Sequence, residues 1–374
     1  MCYQFFTKKH ALCVLHKDAV NESISMKHFQ EPNAPFPYQE HEVTFTNESA
    51  NITLSGTLTK PSTHQQLPAV ILIAGMGPVD RDGNMFGHKL YLVLADYLTR
   101  QGIAVLRFDK RGVAKSTGSF GPQVTSRDLA DDVLAGIGYL KNRDDIDPKR
   151  IGLVGVSEGG LITSMLAGQS DDVAFAVCMA PAIANSPEVL AQQIATQLRM
   201  DGASDELINA MRTLTADMLT IVRDEQDPLK AEQLLHEKAT QVLHALPESL
   251  QQEAEKYPFA TSLNNMTIKI QVFNSPWYRW ILKQDMHAIL SAIKIPLLVL
   301  YGERDFMAPH LMVPLITQAV HNADNDQYTI MTLPKLNHAF QTCTTGALSE
   351  YATLEETIAP SVLDLIGDWI KRRI

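Results

Sequence analysis

Residues 151–160 read IGLVGVSEGG. The first six are apolar or glycine and suit a strand covered on both faces, while the GLITSMLAG that starts at Gly160 has the composition of a helix. A strand that passes through a sharp turn into a helix, with Gly155, Ser157 and Gly159 at the turn, is the context a nucleophile elbow requires. The serine must adopt a strained backbone conformation, and its neighbours must be small enough for strand and helix to approach each other. Such a turn presents the Ser157 hydroxyl at a helix N-terminus, where partial positive charge favours a developing oxyanion. Ser157 is therefore the candidate nucleophile.

Working outward, four more continuous apolar runs resemble this strand: PAVILIAG at 68–75, IAVLRFD at 103–109, VAFAVCMA at 173–180 and IPLLVLYG at 295–302. Between them lie helical patterns, KLYLVLADYLTRQG from Lys89 and SRDLADDVLAGIGYLKNR from Ser126. The second puts Leu129, Val133, Ile137 and Leu140 on one face. Strands alternating with helices predict a mostly parallel, doubly wound α/β sheet. Ahead of it, EVTFT and NITLSGTLTK alternate with period two and predict an antiparallel hairpin. Residues 1–37, ending in EPNAPFP, are expected to form an N-terminal arm. Residues 186–290 hold no apolar strand run and are predicted to be a helical cap inserted into the core formed by 38–185 and 291–374. An insertion at that point is expected to cover the carboxyl ends of the strands, where open α/β sheets bind ligands. A last helix, ETIAPSVLDLIGDWIKRR, closes the chain with its basic end suited to the helix dipole.

The chain has 374 residues, enough for such a core with an insertion, and a formal net charge of -10. That charge leaves no surplus of Lys and Arg to neutralise phosphates, so a nucleic-acid partner is not expected. The four cysteines form no CxxC pair, and neither a metal site nor a cofactor is expected. Cys178 lies in an apolar run and is expected to be a buried small hydrophobe, whereas Cys343 falls close to the candidate base described next. No run approaches the length of a membrane span, and Lys8, Lys9 and His10 break the opening apolar stretch, which predicts a cytoplasmic protein. Oligomeric state cannot be read from the sequence.

A serine hydroxyl needs a base, and on this scaffold acid and base follow the nucleophile in that order. The run IPLLVLYG ends in Glu303-Arg304-Asp305, so Asp305 is the candidate acid, with Glu303 as its rival. Asp324 and Asp326 stand too near the next strand to serve. After that strand, YTIMTL, the loop PKLNHAFQT carries His338, the candidate base. His236 and His244 fall in the helical segment, and His310 and His321 flank a helix, so all four are read as solvated or structural. An oxyanion hole needs two donors: the backbone N–H of Glu158, next after the serine, and one from the loop after PAVILIAG, where Met76 is the candidate.

These pieces together resemble the α/β-hydrolase superfamily, in particular bacterial carboxylesterases related to serine aminopeptidases and dienelactone hydrolases. The resemblance runs from about Tyr38 to the C-terminus. It rests on AGMGPVDRDGN (74–84), RFDKRGVAKS (107–116), GVSEGG, NSPWYRWIL (274–282), YGERD and LNHAFQ. It implies the α/β-hydrolase fold with a helical cap, a triad of Ser157, Asp305 and His338, oxyanion donors at Met76 and Glu158, and ester substrates. Ala114 stands where relatives usually have Gly in the RGxGxS turn. Asp80, Arg81 and Asp82 are expected to pair with one another and shape the oxyanion loop, and PWYRW is expected to pack, with lining of the acyl pocket as the alternative. The chemistry expected is acyl transfer to water with a preference for small to medium acyl chains. Peptidase or acyl-CoA thioesterase activity from the same triad is the alternative. A non-catalytic binding protein is disfavoured because all three triad members are present.

Overall fold

The computed structural model describes residues 29–63, 65–183, 186–257, 263–307 and 312–374, the side chains of 263–265 excepted. Most of the expected arm, residues 1–28, lies outside the described residues. Among those described, the chain forms two compact units: one of residues 29–120, 126–183 and 287–374, the other of residues 121–125 and 186–286.

The first unit is built on an eight-stranded sheet. Its strands are β1 (Tyr38–Asn47), β2 (Ile52–Pro61), β3 (Leu67–Ile73), β6 (Ala104–Phe108), β7 (Ile146–Val156), β8 (Phe175–Met179), β9 (Leu297–Gly302) and β10 (Tyr328–Leu333). The short strands β4 (Asn84–Met85) and β5 (His88–Lys89) form a separate pair. The large sheet runs β1-β2-β6-β3-β7-β8-β9-β10. The expected hairpin is present, with β1 antiparallel to β2 from Tyr38↔Pro61 to Asn47↔Ile52. β2 is antiparallel to β6, and the remaining neighbours are parallel. Strands β3, β6, β8 and β9 are buried along their whole length, as their continuous apolar runs require. β7 begins earlier than the apolar run at 151: the polar residues 147–150 extend it to Ile146, with a register irregularity where it meets Leu67 and Ala69 of β3.

Helices α1 (Leu90–Arg100), α2 (Ser126–Lys141), α3 (Glu158–Gln169) and α13 (Pro360–Lys371) flank this sheet. α1 packs with α13 and α2 with α3. On α2 the predicted face of Leu129, Val133, Ile137 and Leu140 is buried. α3 is buried almost all round, which fits its place beside the two central strands β7 and β8.

The second unit is helical: α4 (Pro187–Met200), α5 (Asp205–Asp224), α6 (Pro228–Ala245), α7 (Glu248–Ala254), α8 (Leu263–Phe273) and α9 (Pro276–Ile281). Local signals fix its helix starts. The side chains of Ser186, Ser204, Asp227 and Ser275 accept the N–H of Val189, Leu207, Leu229 and Tyr278, and prolines open α4, α6 and α9. Of the PWYRW aromatics, Trp277 and Tyr278 are buried, with the Phe273 and Tyr278 rings 5.1 Å apart, while Trp280 is half-buried. The remaining short helices are α10 (Met286–Ser291), α11 (Val313–Asn322) and α12 (Leu348–Tyr351). Among the described residues no helix is long and apolar enough to cross a membrane.

Candidate active site

The order of the strands locates the site. The chain leaves β3 for β6 on one side and leaves β7 for β8 on the other, so β3 and β7 flank the point where successive connections diverge. Open α/β sheets form their ligand crevice at the carboxyl ends of such strands. Ile73, the last residue of β3, pairs with Gly155 of β7, which places the start of the loop after β3 beside the turn that carries Ser157.

Ser157 is the N-cap of α3, with φ 58 and ψ -117. This is a backbone conformation that costs a residue with a side chain about 1–3 kcal/mol, and it persists only where its surroundings enforce it. They do so here through hydrogen bonds. Ser157 N–H donates to Met179 O at 2.9 Å, and its carbonyl accepts from Gly160, Leu161 and Ala182 at 2.9, 3.2 and 3.1 Å. The turn has no spare volume. A Cβ on Gly155 would lie 2.0 Å from Gly159 O, and one on Gly159 would lie 2.1 Å from Ile73 O. Ser157 itself is only half-buried.

The candidate acid and base lie on the same edge, two and three strands across. His338 Nδ1 and Asp305 Oδ2 are 2.8 Å apart, and the Asp305 side chain is fully buried. Because a carboxylate can only accept, Nδ1 carries the hydrogen, and in the neutral ring Nε2 keeps its lone pair. The other Asp305 oxygen accepts the N–H of Met307 at 2.8 Å, so both its oxygens are committed. The loop holding His338 is fastened at several points. Gly302 leaves room for it: a Cβ there would sit 2.4 Å from Leu336 O. Buried Asn337 accepts the N–H groups of Ala339 and Gln341 at 3.0 and 2.9 Å, and His338 N–H donates to the Tyr351 hydroxyl at 3.2 Å. Gln341 in turn contacts buried His88 at 3.0 Å. Asn337, Gln341 and His88 are not singled out by the sequence. The run LNHAFQ is the only signal for the first two.

Around the loop after β3, Gly75 lies against the serine: a Cβ built on it would be 3.3 Å from Ser157 Cβ. Met76 follows, half-buried. The Gly75 N–H donates to the Tyr91 hydroxyl at 2.9 Å, and Lys110 Nζ donates to the Gly75 carbonyl at 2.5 Å. Lys110 also bonds Glu158 Oε2 at 3.1 Å, and Ser126 Oγ donates to the other Glu158 oxygen at 2.8 Å. Sequence reasoning assigns a role only to the backbone of Glu158 and passes over its side chain, Lys110 and Tyr91.

Other sequence candidates fall elsewhere. Glu303 is exposed and accepts the N–H of Lys335 at 2.9 Å, and Asp324 and Asp326 are exposed. His236, His244 and His321 are exposed, and His310 lies outside the described residues. The expected pairing among Asp80, Arg81 and Asp82 is not what forms. Neighbouring side chains diverge, and Arg81 and Asp82 find partners distant in the chain. Arg81 binds Asp109 at 2.8 Å and Glu42 at 2.9 Å, while Asp82 binds Arg107 at 3.0 Å. Asp80 caps its own turn, accepting the N–H of Asp82, Gly83 and Asn84. Cys178 is buried, and burial pushes its thiol up to about 12. Cys343 is buried within the His338 loop, where its thiol donates to Lys335 O at 3.5 Å and burial raises its pKa as well. Neither has the lowered pKa of a reactive thiol. Among the described residues no group of three or more His, Cys, Asp or Glu could hold a metal ion.

Known proteins match this chain in the same terms. The serine aminopeptidase family S33 model matches residues 87–261, a stretch that holds Ser157 but not residues 305 and 338. Esterase EstD of Thermotoga maritima is 29% identical over 184 residues, 48% of this chain and 42% of EstD. The chain spans about half the length of the curated relatives that it matches. Two solved structures share the fold across most of the chain. The α/β hydrolase GrgF of Penicillium sp. sh18 superposes with a TM-score of 0.54 at 19% identity, covering 90% of this chain and 99% of GrgF. The esterase Pf2001 of Pyrococcus furiosus superposes with a TM-score of 0.53 at 17% identity, covering 90% of this chain and 92% of the esterase. The chain has the fold of the α/β hydrolases, and the proteins it is similar to include esterases.

Proposed function

We propose that this protein is a serine hydrolase that cleaves carboxylic esters of small to medium acyl chain length through an acyl-enzyme on Ser157. One observation carries the reading: a buried Asp305 carboxylate accepts the His338 Nδ1 hydrogen at 2.8 Å, on the sheet edge that also bears a strained, half-buried serine. His338 Nε2 takes the Ser157 proton as Oγ attacks the ester carbonyl carbon. Asp305 holds the ring in the tautomer that allows this and stabilises the imidazolium. The tetrahedral oxyanion is held by the backbone N–H groups of Met76 and Glu158. Collapse expels the alcohol, which takes the proton from His338. Water, deprotonated by the same nitrogen, then attacks the acyl carbonyl; the carboxylic acid leaves and Ser157 is restored. No step calls for a metal or cofactor.

The test is labelling with a fluorophosphonate, followed by turnover of p-nitrophenyl esters of increasing acyl length. Wild type should label and Ser157→Ala should not, with turnover falling by up to ~10⁶-fold. Equal labelling of both would remove Ser157 from the reading, and a preference for long chains over acetyl and butyryl would remove the acyl-length part of it.

A second reading, amide cleavage, is favoured by the description of the matched family as serine aminopeptidases. An acyl-CoA thioesterase shares the same chemistry. The helical unit does hold carboxylates, but Asp217 is paired with Lys238 at 3.1 Å and Glu237 is exposed. Aminoacyl-p-nitroanilides and acyl-CoA assayed beside the ester series separate the three, and esters are expected to turn over fastest.

A further inference from the structure

The amide hydrogen of Met76 and the carbonyl oxygen of Gly75 belong to one peptide unit. That bond is trans, so the N–H points opposite to the C=O, and holding one end fixes the direction of the other. The oxygen is held by Lys110 Nζ at 2.5 Å. Lys110 also binds Glu158, the residue whose own N–H is the other donor of the proposed oxyanion hole, at 3.1 Å. The two side chains are 5% and 3% exposed, Ser126 donates to the second Glu158 oxygen, and the Lys110 ammonium lies 5.6 Å from the Phe120 ring centroid. On the other side of Gly75, its N–H is tied to the Tyr91 hydroxyl at 2.9 Å. A single buried ion pair therefore joins the two backbone segments that must both be correctly aimed. An ammonium on the Gly75 oxygen also draws electron density through the amide and makes the Met76 N–H a stronger donor.

We infer that Lys110 is a positioning residue, holding the Met76 and Glu158 amides as a preformed oxyanion hole through the Gly75 carbonyl and the Glu158 carboxylate. The inference rests on the Ser157 reading above. Lys110 does not touch the reacting atoms. Its effect belongs to the transition state, where negative charge grows on the carbonyl oxygen, and not to ground-state binding.

Three variants test it: Lys110→Met, Glu158→Gln and the double variant Lys110→Met/Glu158→Met. Active sites are counted with fluorophosphonate, and kcat and KM per labelled site are measured on p-nitrophenyl acetate. Affinity for a phenylboronic acid, whose serine adduct is tetrahedral, is measured alongside. Lys110→Met should lower kcat by about 10²–10³-fold, the loss typical of one oxyanion donor. KM should stay within about threefold, and boronate affinity should fall with kcat. Glu158→Gln keeps an oxygen for Lys110 and should lose roughly tenfold. Replacing both members of a buried ion pair by apolar residues is often neutral for stability. The double variant avoids a lone buried charge, so it should stay folded, destabilised only by the partners that Gly75 O and Ser126 Oγ lose, yet keep the kcat defect. It carries the test, with Glu158→Gln, should Lys110→Met alone not fold. A double variant with wild-type kcat, or a Lys110→Met loss that vanishes per labelled site, would overturn the inference. Wild type that fails to label, or labels no better than Ser157→Ala, would instead bring down the nucleophile assignment.

Discussion

Replacing the Asp305 carboxylate by an amide probes the acid with almost no change in shape. Asp305 serves two donors at once, His338 Nδ1 at 2.8 Å and the Met307 N–H at 2.8 Å. An amide has a single acceptor oxygen, so the Asp305→Asn side chain can satisfy only one of them. If the oxygen stays on Met307, the amide NH2 faces Nδ1 and forces the hydrogen onto Nε2, where it blocks proton transfer from Ser157. If the amide turns over, it sets two donors against each other at Met307 in a fully buried position. Holding the wrong tautomer costs an Asp-His-Ser triad about 10⁴ in kcat, or roughly 5 kcal/mol at 1.36 kcal/mol per tenfold. The assay is turnover of p-nitrophenyl acetate per fluorophosphonate-labelled site, with Glu303→Gln as the companion. Glu303 is exposed and accepts the Lys335 N–H, a contact Gln can keep, so that variant should stay within about threefold of wild type. An Asp305→Asn enzyme within tenfold of wild type, or a Glu303→Gln enzyme that falls as far, would refute the assignment of the acid.

Three further predictions concern stability. Ala114 is exposed and held at φ 45, a left-handed conformation that only glycine adopts without steric cost; Ala114→Gly should raise unfolding free energy by about 0.5–1 kcal/mol in urea. Lys269 is buried, and desolvation pushes its ammonium down to about 8. Its folded value thus lies below its unfolded one, the folded state binds fewer protons between the two, and stability rises with pH across that window. Lys269→Met should therefore stabilise the protein at pH 7 by on the order of 2–3 kcal/mol, with the gain shrinking towards zero by about pH 10.5; an equal gain at both pH values would count against burial as the cause. Hydrogen bonds from Arg143 and Lys60 hold the Asp145 carboxyl well below its usual range. A depressed carboxylate stabilises above its unfolded pKa and loses that contribution as pH falls. Asp145→Asn should accordingly lower the urea midpoint at pH 7 and flatten its decline between about pH 5 and 3.

The residues legible in the sequence are those whose neighbours in the chain define their setting. Gly155 and Gly159 bracket Ser157, and the apolar strand before them and the helix after them leave one local geometry. Asp305 and His338 can be picked because each follows a strand whose end the residue pattern marks. What stays hidden depends on contacts between distant segments. Lys110 and Glu158 are separated by 48 positions, and nothing near either marks the other. Arg81 looks paired because acids flank it, yet adjacent side chains point apart and its partners, Glu42 and Asp109, come from β1 and the end of β6. His88 is easily passed over because no motif surrounds it. Its role appears only when α12 and the loop 334–347 fold against β5, so that it meets Thr357, Gln341 and the Tyr351 carbonyl.

β10 is the terminal strand of the large sheet, and its residues are partly exposed along its whole length. His338 thus follows the outermost strand of the sheet, in a loop held by Tyr351 and by the Asn337–Gln341 hydrogen bonds rather than by β10 itself. Segments of low contact density open with a smaller free energy than the rest of a fold. Mild urea should silence the enzyme while the central strands still stand, so that inactivation and global unfolding trace two separate curves.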